Sequence, residues 1–220
     1  MAGRVEVAGV EAVAGALAER RRDVREDLAN LGRRPAERAA GAGRVLDEQP
    51  RAAAPAPRQT GGALSSEERG QLGRAVDRIQ AGNYAEGIAL LEPIVARGPQ
   101  AWEPWFWLGT ARLGQGELNA ADEALAQAIR RAPAQPQLWV QRAIAAQERG
   151  EHHRALEWLR EARNLNPGAA EVHLNIGYSA EAVGLREEAV RAYRDFLRLT
   201  EGRESFSAQR NWVNRRLGVL

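Results

Sequence analysis

The sequence contains no lysine: all 31 basic residues of its 220 are arginine. That removes the Walker-type phosphate lysine, the Schiff-base lysine and the lysine general base together. Cysteine is absent too, which excludes disulfides, thiolate nucleophiles and thiolate zinc sites. No run of 18 apolar residues occurs, so no spanning helix is expected. The N-terminus has neither the apolar core of a signal peptide nor a cysteine for a lipid anchor, which points to a cytoplasmic location. Net charge is only +2. Residues 1–63 hold 11 arginines against 9 acids and residues 64–220 hold 20 against 20, so the body lacks the basic stripe of a nucleic-acid binder.

What is present is a ruler. Gly82, Gly116, Gly150 and Gly184 lie 34 residues apart without a gap. Other columns share the register: small residues at Ala75, Gly109, Ala143 and Gly177, and again at Gly87, Ala121, Ala155 and Ala189. Bulky apolar residues recur at Leu91, Leu125, Leu159 and Tyr193. Prolines recur at Pro99, Pro133 and Pro167, and Glu201 breaks that series. The glycine column falls between two stretches of helical periodicity, where reversing the chain needs positive φ. Small columns at mid-helix allow two helices to approach closely, and a proline just past the second helix stops it. Each unit therefore reads as helix, turn, helix, and such repeats stack.

The pattern resembles the tetratricopeptide-repeat family. The second unit carries the motif most fully, with Trp105, Leu108, Gly109, Gly116, Ala121, Leu125, Ala128 and Pro133. The third keeps Trp139, Gly150, Ala155, Leu159, Ala162 and Pro167 but has Arg142 and Ala143 at the Leu-Gly pair. The first is weak at its start (Gln71, Arg74, Ala75), and the fourth has His173 in place of the tryptophan. The resemblance implies an all-α, right-handed α-solenoid of four repeats over 64–203, in units 68–101, 102–135, 136–169 and 170–203. A C-terminal capping helix is expected over 204–220, with Phe206, Val213 and Leu217 on one face and Trp212 adding to the contact. Ser65-x-x-Glu68 reads as a capping box at the first helix.

Upstream, Val10, Leu17, Val24 and Leu31 are spaced by sevens, which suggests an amphipathic helix within residues 1–32. Residues 33–63, rich in Ala, Pro, Gly and Arg, read as a flexible, disordered linker. The helix either docks on something, the protein's own groove included, or forms only transiently.

No constellation supports catalysis, and neither a cofactor nor a metal is expected. His152 and His153 read as an exposed polar turn. Gly177-Tyr178-Ser179 lacks the second glycine of a nucleophile elbow and sits mid-helix. Glu187 and Glu188, like Asp122 and Glu123, read as acids at helix starts, where the dipole favours them. No glycine-rich phosphate loop is present.

One stretch raises a different question. Trp105, Phe106 and Trp107 sit about 100° apart on a helix, and one buried face cannot hold all three. By the family resemblance the first helix of each unit lines a concave groove, with Trp105 and Trp139 packing between helices. The implied peptide-binding lining is Arg69, Leu72 and Val76 from the first unit, then Glu103, Phe106, Trp107, Thr110 and Leu113 from the second. The third supplies Gln137, Val140, Gln141, Ile144 and Gln147, with Glu148 at the edge. The fourth adds Glu171, Leu174, Asn175, Tyr178 and Glu181. The family's clamp for acidic chaperone tails needs cationic and asparagine side chains where this sequence has Leu72, Val76, Trp107, Gln137 and Gln141, so that partner is excluded. The expectation is a non-catalytic adaptor taking a peptide or helix with apolar anchors. The alternatives are a tethered assembly factor of a bacterial pilus or secretion-type complex, and a regulatory domain acting on an enzyme in trans.

Overall fold

The computed structural model describes residues 63–220. The amphipathic segment, its docking and the linker up to residue 62 lie outside the described residues. Within them the chain is a row of helices: α1 (Ser66–Gln80), α2 (Tyr84–Ala96), α3 (Glu103–Gln115), α4 (Leu118–Arg131), α5 (Pro136–Glu148), α6 (His152–Leu165), α7 (Ala170–Ala182) and α8 (Arg186–Leu199). A short 3-10 turn, Glu204–Phe206, leads into α9 (Ser207–Leu217). No strand occurs among the described residues. The result is an all-α helical repeat solenoid.

The ruler is visible in the backbone. Gly82, Gly116, Gly150 and Gly184 all turn the chain at φ 77–80°, a left-handed conformation that costs a side chain roughly 1 kcal/mol or more. The second helix follows each turn at the same interval, beginning at Tyr84, Leu118, His152 and Arg186. At the N-terminal end the capping box forms in both directions. The Glu68 amide donates to Ser65 Oγ at 3.1 Å, and the Ser65 amide donates to Glu68 Oε2 at 2.6 Å. These bonds, with Arg97 nearby, hold the Glu68 carboxyl below its ordinary range. Ser65→Ala is expected to lower stability by about 1 kcal/mol in urea unfolding, the usual loss for a serine cap.

Both small columns are buried along their whole length, and the reason is steric. A Cβ on Gly109 would stand 2.6 Å from Leu125 Cγ, and one on Gly177 only 2.4 Å from the Tyr193 ring. Leu91, Leu125, Leu159 and Tyr193, the column that fills these notches, have no exposed surface. Small and large residues thus meet across each helix pair.

Each helix packs against its neighbours in sequence. The first helices also touch one another across units, α1 with α3, α3 with α5 and α5 with α7. This second contact brings the first helices closer together than the second ones, which curves the row towards them. Arginine–carboxylate pairs tie units together on the outside: Arg112 to Glu92 at 2.8 Å, Arg142 to Asp122 at 2.7 Å and Arg160 to Glu188 at 2.8 Å. Exposed pairs contribute about 0–1 kcal/mol each. Here at least one partner of each pair is largely buried, and in Arg142–Asp122 both are, at 22% and 21% exposed, which fixes the register between units. Glu188 lies in the first turn of α8, whereas Asp122 lies a turn deeper in α4 and acts through Arg142.

The last unit is closed by α9, with Val213 fully buried and Trp212 edge-on to Tyr193 at 5.7 Å. Phe206 is not on the α9 helix. It ends the preceding 3-10 turn and meets Phe196 edge-on at 5.9 Å.

Candidate protein-docking groove

The inner wall is formed by α1, α3, α5 and α7, and every expected lining residue lies on one of them. Their exposure divides them into two sets. Leu72, Val76, Glu103, Gln137, Val140, Leu174, Tyr178 and Glu181 are half-buried, while Arg69 and Glu171 are exposed. Phe106, Trp107, Thr110, Leu113, Gln141, Ile144, Gln147 and Asn175 are buried. The question raised by Trp105, Phe106 and Trp107 is resolved by this division. Trp102 precedes α3 and meets Phe106 edge-on at 5.8 Å, and Phe106 meets Trp107 edge-on at 5.2 Å. Trp105 points elsewhere and stacks under the Arg131 guanidinium at 4.8 Å. The aromatic cluster forms the floor, and the accessible surface is aliphatic with a tyrosine.

Polar groups on the floor are only partly used. Gln147 Nε2 donates to Ser179 Oγ at 2.8 Å and to the Asn175 carbonyl at 3.2 Å. Asn175 Nδ2 donates to the Glu171 carbonyl at 2.8 Å. Yet Thr110 Oγ1, Gln141 Oε1 and Gln147 Oε1 are buried without a hydrogen-bond partner. Groups of this kind are uncommon, because each forgoes about 1–3 kcal/mol of solvation.

Two features were not legible from the lining motif. Glu181 does not face the groove freely: Arg216 of α9 donates to it from Nε at 3.3 Å, and the Tyr193 hydroxyl donates to it at 2.9 Å. The starts of the second helices also reach the inner wall. The Tyr84 ring stands where a Cβ on Gly114 would be, at 2.5 Å, and the His152 ring meets Tyr178 edge-on at 5.4 Å. Tyr84 and His152 occupy the same place in the 34-residue register, a signal that the sequence carried.

His152 is therefore not an exposed turn residue, as expected from its neighbour Gly150. It opens α6, half-buried, with Nδ1 buried and unpartnered, while His153 is exposed. Burial, with His153 adding repulsion, lowers the His152 pKa from 6.5. A lowered pKa means that the unfolded chain takes up its proton first as pH falls. The associated stability is complete above about pH 6.5 and declines below it. Thermal melts at pH 7.5 and 5.5 are expected to differ more for the wild type than for His152→Phe, which keeps the ring contact and loses the titration.

A protein-family model described as tetratricopeptide repeat matches residues 72–136 and again 108–170. Residues 72–170 belong to the tetratricopeptide-repeat family. Among solved structures it is similar to a MamA protein, with a TM-score of 0.58 and 25% identity over 61% of this chain and 78% of that one. It is also similar to TTC0263, a thermophilic TPR protein of Thermus thermophilus, with a TM-score of 0.52 and 25% identity over 60% and 74% of the two chains. MamA from Desulfovibrio magneticus RS-1, from residue 41 onwards, shares the fold at 14% identity, with a TM-score of 0.58 over 62% of this chain and 77% of that one. No curated protein matches the sequence.

The tetratricopeptide-repeat assignment makes one departure from the motif instructive. In the third unit Trp139 Nε1 donates to the Pro133 carbonyl at 2.8 Å. In the fourth, His173 Nε2 donates to the Pro167 carbonyl at the same distance and the same separation in sequence. The imidazole replaces the indole because it reproduces its N–H, which requires the proton to sit on Nε2. The second unit solves the problem otherwise: Arg131 Nε donates to the Pro99 carbonyl at 2.8 Å, and Trp105 Nε1 is left without a partner. Tetratricopeptide repeats as a class are protein-interaction scaffolds, and this chain has their framework. Among the described residues no helix is long and apolar enough to cross a membrane, and no cluster of metal-ligating side chains occurs.

Proposed function

We propose that this chain is a non-catalytic adaptor whose inner wall docks a segment of another protein through apolar anchors. The observation that carries this reading is the set of half-buried apolar side chains Leu72 and Val76 on α1, Val140 on α5, and Leu174 and Tyr178 on α7, flanking the buried Phe106 and Trp107 of α3 on the same wall. A concave apolar surface with rigid support is the usual setting of binding hot spots. The set has no cationic clamp, which argues against an acidic tail as the ligand. The mechanism is one of preorganisation. The small–large packing of each helix pair fixes the wall before the partner arrives, so little conformational freedom is lost on binding.

The test uses the full chain as bait in a native lysate. Val140→Ala/Leu174→Ala is expected to weaken capture of its partner about tenfold, the loss typical of two moderate anchors. Leu165→Ala, on an exposed apolar residue of α6, is expected to leave capture unchanged. Equal capture by all three proteins, with helicity preserved, would move the docking surface away from the inner wall.

A further inference from the structure

The groove reading leaves the chemistry of the partner open, and two independent observations on the inner wall narrow it. The first is charge. Arg69, Glu103, Gln137 and Glu171 occupy one position of the 34-residue register, the start of each first helix. They form one edge of the wall. The Glu103 and Glu171 carboxylates have no ion pair among the described residues, unlike Glu181, which Arg216 holds. Both lie in the first turn of a helix, the end whose dipole attracts negative charge. The second observation is the set of buried, unpartnered oxygens on the same helices: Thr110 Oγ1, Gln141 Oε1 and Gln147 Oε1. The residues are respectively 0%, 3% and 6% exposed. Both amide oxygens are acceptors only, so what they lack is a donor.

Resting on that groove reading, we propose that the occupant is a cationic amphipathic segment of a second protein. Its arginines or lysines meet Glu103 and Glu171, and its aliphatic side chains cover Leu72, Val76, Val140 and Leu174. Guanidinium and ammonium groups supply donors and positive charge together, the two things this wall lacks. Acidic peptides and nucleic-acid phosphates meet like charge at the same edge. Glu103 and Glu171 stand two helices apart, about 20 Å for typical interaxial spacings. That span corresponds to about 13 residues of helix or 6 of extended chain. Arg69, at the same edge in the first unit, reverses the sign there and gives the partner a direction: an acid or a neutral residue over α1, cations over α3 and α7.

The test is selection of a random peptide display library on the full chain, followed by affinity measurement of the selected peptides at low and high salt. Selected peptides are expected to be enriched in arginine and lysine together with aliphatic residues. Glu103→Gln/Glu171→Gln is expected to weaken them about fivefold at low salt. Gln137→Glu, which completes the acidic edge, is expected to tighten them, a gain that misfolding cannot produce. Aliphatic peptides with no cationic bias, lost on Val140→Ala/Leu174→Ala but indifferent to Gln137→Glu, would overturn this inference and leave the groove reading standing. Peptides indifferent to both sets of variants would overturn both. Selection that succeeds only after Leu17→Glu/Val24→Glu would name the protein's own N-terminal segment as the occupant, and the second protein would be excluded.

Discussion

Tyr193→Ala is expected to destabilise the protein by about 3–5 kcal/mol, the loss usual for a large buried aromatic. Tyr193 has no exposed surface and fills the notch left by Gly177. Its ring supports Trp212 of α9, and its hydroxyl donates to Glu181 at 2.9 Å. One side chain therefore joins the last helix pair, the capping helix and the end of the groove. Chemical denaturation with separate reading of tryptophan fluorescence and helicity checks this, and both signals should shift together. A sharper version comes from the notch itself. Gly177→Ala places a Cβ 2.4 Å from the ring and is expected to cost about 1–3 kcal/mol by overpacking. Combined with Tyr193→Leu, it recreates the Ala143–Leu159 pairing of the third unit, where both residues are fully buried. The double variant is expected to be more stable than the sum of the single losses implies. Strict additivity would mean that the two columns do not fill one another.

The second large effect concerns the aromatic floor. Phe106→Ala and Trp107→Ala are each expected to lose about 3–5 kcal/mol, since Phe106 is 1% and Trp107 6% exposed. Their effect on binding should follow their effect on unfolding. Phe106→Leu, which retains most of the volume, is expected to recover much of the stability in the same denaturation experiment. If Trp107→Ala leaves the unfolding midpoint in place, its burial contributes far less than its surface suggests, and the floor is not a structural element of the wall.

The framework was legible because each repeat feature has a local cause. A turn that needs positive φ selects glycine, a close helix crossing selects a small residue, and the cap selects serine with glutamate three positions on. All three signals survive in one sequence because they act within a few residues or at a fixed interval. The inner wall was legible only as a set of positions. Which of them are accessible depends on packing between units, which the motif does not encode: Phe106 and Trp107 are buried while Leu174 remains half-open. Glu181 is claimed by Arg216 of α9, 35 residues away, a contact outside the repeat period. His152 and Tyr84 could have been found by following their register position through all four units, because both stand at the same step of the ruler and both reach the first helix of the next unit.

The docking claim is tested most directly by photo-cross-linking in the native lysate, with the reactive residue placed singly at Val140 and Leu174 in the groove, and at Leu165, Leu185 and Val219 outside it. The last three are the large exposed hydrophobic side chains of the described residues. Cross-links from Val140 and Leu174 to one common protein, with none from the other three, are the result this account predicts. Cross-links from Leu165, Leu185 or Val219 alone would contradict it and place the interaction on the outer face or the C-terminal end.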